Sequence, residues 1–115
     1  MIRQLSLGEK SKDIREVLFE NGDILMTRLQ YEDKVFSLAL GQHPIREIGE
    51  TTDEYAGKTT DDLQCEIGVC LSFTNPKSLN ALIHSLTELQ KDIFDGKLNG
   101  LPEKVGAVSN GLIDP

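Results

Sequence analysis

Residues 63–73 read LQCEIGVCLSF, and the apolar side chains fall on every odd position: Leu63, Cys65, Ile67, Val69, Leu71 and Phe73. The even positions hold Gln64, Glu66, Gly68, Cys70 and Ser72. Successive strand side chains point to opposite faces, so this pattern predicts a long β-strand with one buried face. Beyond Phe73 the period changes. Asn75 is a good N-cap and Pro76 suits the first helical position. Leu79, Leu82, Ile83, Leu86, Leu89, Ile93 and Phe94 then recur at helical spacing, and Asp95-Gly96 supplies a stop. The predicted helix has about 18 residues and a length of about 27 Å.

Residues 13–40 predict three further strands. DIREVLFE leads through Asn21-Gly22 into ILMTRLQ, and YEDK leads into VFSLAL. Asn-Gly is a strong hairpin signal, because both residues tolerate the positive φ of a type I′ turn. IRQLSL near the N-terminus adds a candidate edge strand, and residues 45–48 a short one. The expected fold is α+β: a four- or five-stranded antiparallel β-meander, followed by one long amphipathic C-terminal helix packed on one sheet face. Residues 1–95 are expected to form a single domain, and residues 96–115 an irregular, mobile tail.

The 115 residues carry a net charge of −7. Much of it lies in GETTDEYAGKTTDD, residues 49–62, where five carboxylates face one lysine. The GKTT fragment matches the end of a phosphate-binding P-loop, but that motif sets its two glycines five positions apart and leads into a helix. Here Gly49 precedes Gly57 by eight, and the segment runs into the strand at Leu63. A solvated acidic loop is the reading that remains. Its carboxylates lack the alternate spacing and flanking helices of a calcium loop, so no metal site is expected.

Cys65 and Cys70 are five apart, which puts them on opposite strand faces and rules out a shared zinc. His43 in a turn and His84 away from the helix stripe are expected at the surface. No Ser/His/Asp or Cys/His arrangement emerges. The chain therefore reads as a non-enzyme without cofactors. No long apolar run comes after Met1, so neither a signal peptide nor a membrane span is expected, and the cytoplasm is the expected location.

The order of elements over residues 13–94, strands and then one helix, resembles the ββββα unit of the Whirly and PUR-type single-strand binders and of the related transcriptional coactivator family. That resemblance implies a single-stranded nucleic-acid or small-ligand binding domain, with basic and aromatic groups on the exposed sheet face. This sequence would place Glu16, Glu20, Gln64 and Glu66 there, with Arg15 or Arg28. Single-strand binding uses a positive groove and stacking aromatics. An acidic chain with 5% aromatics and no Trp argues against nucleic acid.

The first functional reading is thus a non-enzymatic protein-binding module with an acidic surface. One version is an inhibitor, encoded by a phage or mobile element, of a nucleic-acid-handling protein. The expected partner is a basic protein, and the expected contact residues are Glu50, Asp53, Glu54, Asp61 and Asp62. The ββββα ligand-binding domain is the alternative. Self-association is also expected, because a meander leaves edges and a partly apolar second face with Ile24, Met26 and Val35.

Overall fold

The helix signal and most strand signals find elements in the computed structural model, which describes residues 1–51, 56–59, 61, 63, 66–96 and 111–114, but residues 45–48 form no strand. The chain is α+β. Five strands come first: β1 (Ile2–Leu5), β2 (Ile14–Val17), β3 (Ile24–Glu32), β4 (Val35–Gln42) and β5 (Ile67–Phe73). One helix comes after them, α1 (Pro76–Phe94). The strands are antiparallel and form two sheets, β1-β2 and β3-β4-β5. Residues 1–72 and residues 73–115 form two compact units.

In the first unit, the turn chemistry of one hairpin is as expected and that of another is not. β3 and β4 join through Asp33-Lys34, with Lys34 at φ 63°. Asn21-Gly22 closes no hairpin. β2 pairs instead with β1, Ile2 opposite Val17 and Leu5 opposite Ile14. Gly22 still uses its positive φ of 73°, but to turn the chain from one sheet into the next. The reason is space: a Cβ on Gly22 would lie 2.0 Å from the backbone oxygen of Arg46.

A second close approach involves β1 and β5. A Cβ on Gly68 would lie 2.8 Å from Ile2 Cδ1. The missing side chain on β5 is what admits Ile2, so the glycine in the middle of the alternating strand has a packing role.

Burial is greatest on β4, where Ala39 and Leu40 are buried. The buried Ser37 hydroxyl bonds that of Ser72 on β5 at 2.7 Å, with Tyr31 Oη 3.4 Å from the same oxygen. β5 starts at Ile67, later than the alternation from Leu63 predicts. The inward set Ile67, Val69 and Leu71 is half-buried, and Cys70 on the other face is an exposed free thiol. Cys65 lies outside the described residues. The turn position of His43 does not leave it at the surface. It is buried, its Nδ1 donates to the Pro44 carbonyl at 2.9 Å, and its amide belongs to the β3-β4 ladder.

In the second unit, α1 starts where the capping signal puts it. Asn75 Oδ1 accepts from Ser78 N at 2.9 Å and Pro76 occupies the first turn. Gly96, at φ 69°, comes after the C-cap and donates to Ile93 O at 3.2 Å. No helix residue is buried, and Leu79, Ile83, Leu86, Leu89 and Ile93 of the apolar stripe are all exposed. His84 is exposed. Of the C-terminal tail, Gly96 and residues 111–114 are described.

Candidate functional site

The candidate site lies at β3, the outer strand of its sheet. His43 N donates to Asp23 O at 2.7 Å, so Asp23 and His43 form a hydrogen-bonded pair at the end of the ladder. Such pairs alternate with non-bonded ones in an antiparallel sheet. The register sets Leu25 opposite Gly41, Thr27 opposite Ala39 and Leu29 opposite Ser37. The backbone groups of Leu25, Thr27 and Leu29 therefore face β4. Those of Ile24, Met26 and Arg28 face outward, and among the described residues nothing is hydrogen-bonded to them.

That outer edge is occupied at one point only among the described residues. Arg46 N donates to Gly22 O at 2.9 Å. Gly22 is in phase with Ile24 and Met26, so this bond lies on the same edge. After β4 the chain has thus turned back to β3, made one strand-like bond, and moved away. The lack of a Cβ on Gly22 permits the approach.

A cleft of about 680 Å³ results. One wall is residues 22–29, and the other is residues 46–51 and 56–59 with Leu63. A cleft over one sheet face would be lined by alternate residues. Eight consecutive ones mean that it views β3 edge-on. Apolar side chains are available in it: Met26 is 59% exposed and Ile48 74%. The charged lining is mixed, with Glu20, Asp23, Glu47 and Glu50 against Arg28, Arg46 and Lys58.

One charge in this set has a fixed structural partner. Asp23 is buried, with Oδ1 2.9 Å from the Met1 ammonium and Oδ2 accepting from Gln42 Nε2 at 2.7 Å. Gln42 Oε1 in turn accepts from Ile2 N at 2.8 Å. These bonds tie β1 to the β3-β4 pair beside the cleft. The bond from the ammonium, then that from Gln42, holds the Asp23 carboxyl below its ordinary value of 3.8, against the opposing effect of burial.

Of the five carboxylates expected to form the contact, two are described. Glu50 lines the cleft and is paired at 3.4 Å with Nη1 of Arg46, four residues before it. Asp61 is exposed and does not line the cleft. Asp53, Glu54 and Asp62 lie outside the described residues. Gly57, Lys58 and Thr59 of the GKTT fragment line the cleft, facing β3. The open edge itself is not among the site residues expected from sequence, because side-chain alternation marks the two faces of a strand and not which of its edges has a neighbour.

Among the described residues, no three His, Cys, Asp or Glu side chains are grouped to hold a metal ion, and no helix is long and apolar enough to cross a membrane. Comparison with protein-family models, with curated proteins and with solved structures gave no match.

Proposed function

We propose that this chain is a non-enzymatic protein-binding module whose acidic loop meets a basic partner. The observation that supports this reading is the cleft itself. The loop carrying Glu47 and Glu50 stands across from an unpaired strand edge, with Met26 and Ile48 exposed between them. Loop residues 49–62 hold five carboxylates and a single lysine, a charge pattern that steers basic surfaces toward it. An inhibitor from a phage or mobile element, its carboxylates standing in for nucleic-acid phosphates, is one form of this activity.

The test is capture of a partner from the native host, compared between the wild type and a variant with Glu50, Asp53, Glu54, Asp61 and Asp62 all replaced by Lys. The wild type is expected to retain a basic protein that elutes as salt is raised. Equal capture by the charge-reversed variant refutes the loop as the contact.

The chain is further proposed to self-associate. The exposed stripe of α1, with Leu79, Ile83, Leu86, Leu89 and Ile93 along one face, supports this. A helix stripe of that width is normally covered. A dimer or larger mass by light scattering is expected, and a concentration-independent monomer refutes it.

A further inference from the structure

We infer that the cleft binds a partner by strand addition: an extended peptide segment, apolar at alternate positions and carrying basic residues, pairs with the outer edge of β3 at Ile24, Met26 and Arg28. The inference rests on the protein-binding reading above and names its mode.

Four observations point to this occupant. First, the N–H and C=O of Ile24, Met26 and Arg28 face outward without a partner among the described residues. Unpaired edge groups are a template for another strand. Second, the Arg46 N to Gly22 O bond at 2.9 Å shows the chain already making one bond of this ladder. A guest strand would continue it along the same edge. Third, this edge lines a cleft of about 680 Å³ whose other wall is residues 46–51 and 56–59. From Ile24 to Arg28 the edge runs for about 14 Å at 3.4 Å per residue, so about five guest residues pair with it. Fourth, the lining matches an alternating guest. Met26 and Ile48 offer apolar contact, while Glu20 and Glu47 offer charge to basic side chains beside the cations Arg28 and Lys58, so the basic character of the guest follows from the protein-binding reading above. The backbone bonds give affinity here, and the alternate side chains give selectivity.

The experiment uses the full chain and a displayed library of heptapeptides, with Val, Ile, Leu or Phe at alternate positions and Lys, Arg or Thr between them. A selected peptide is then synthesised in two N-methylated forms, one for each alternate set of amides. Pairing to an edge engages every second guest amide. One form is therefore expected to lose binding by at least about tenfold, and the other to stay within about twofold. In the unmodified complex the amide signals of Ile24, Met26 and Arg28 shift and exchange more slowly with solvent. Met26→Pro, which removes one outward N–H at an edge position where proline is tolerated, weakens binding by a similar factor. If that variant fails to fold, the N-methylated pair still decides, since it leaves the protein untouched.

Selection of no peptide overturns the inference, as does equal loss for the two N-methylated forms. The charge-reversed loop variant separates the two proposals. Phase-dependent peptide binding that survives charge reversal leaves strand addition standing and refutes the acidic-loop contact. Binding that is lost on charge reversal but indifferent to N-methyl phase does the opposite.

Discussion

Replacing Gly22 by Ala perturbs the point where the loop is fastened to β3. Two costs are expected. The φ of 73° is a left-handed conformation, which costs an Ala roughly 1–2 kcal/mol. The added Cβ would also lie 2.0 Å from Arg46 O, a backbone atom that no side-chain rotation moves away. The Arg46 segment must therefore shift, which forfeits its bond to Gly22 O, worth about 1 kcal/mol net. The total is about 2–3 kcal/mol, or a fall in midpoint of about 10–20 °C for a domain of this size. Gly57 provides the comparison. It has a φ of 76° and open space around its Cβ position. Gly57→Ala therefore carries only the conformational cost, about 1–2 kcal/mol at most. Urea unfolding of both variants, monitored by circular dichroism, measures the difference. Gly22→Ala is expected to be the more destabilised by about 1 kcal/mol. Equal effects would refute the close approach of Arg46 to the β3 edge.

Three other substitutions probe the rest of the framework. Asp23→Asn removes the ion pair with the Met1 ammonium. Because the folded carboxyl titrates below 3.8, its contribution is fully present above that value and is lost as the pH falls through the lowered one. The variant should thus be less stable at neutral pH and lose less stability on acidification, and parallel pH profiles of the urea midpoint would contradict this. Asn75→Ala deletes the cap on Ser78 N and is expected to cost about 1 kcal/mol, read as lost helical signal at intermediate urea; an unchanged midpoint would show that the cap contributes nothing. Gly68→Ala brings a Cβ to 2.8 Å from Ile2 Cδ1, an atom that Ile2→Val removes, so a double-mutant cycle should show at least about 0.5 kcal/mol of coupling, whereas strict additivity would mean that the two residues do not touch.

Elements whose signal is local are readable in the amino-acid order. The Asn75-Pro76 start and the Asp95-Gly96 stop of α1 depend on neighbours within a turn, and both lie where expected. The alternation that continues through Ile67, Val69 and Leu71 marks β5 for the same reason. Pairing is harder to read, because it is decided by contacts distant in sequence. Asn21-Gly22 is competent for a hairpin, yet β2 pairs with β1, and Gly22 serves an approach by Arg46 that no local pattern encodes. His43 has the sequence context of a surface turn, and the ladder bond to Asp23 buries it. The same limit applies to the site. Charge makes the acidic loop conspicuous, while the open edge of β3 depends on which partner β3 already has.

Whether Ile24, Met26 and Arg28 present an unpaired edge is decided by amide hydrogen exchange resolved residue by residue along β3. An alternation is expected in the free protein: slow exchange at Leu25, Thr27 and Leu29, which face β4, and fast exchange at Ile24, Met26 and Arg28. Uniform protection of all six amides would contradict it, because the outer edge would then already be paired.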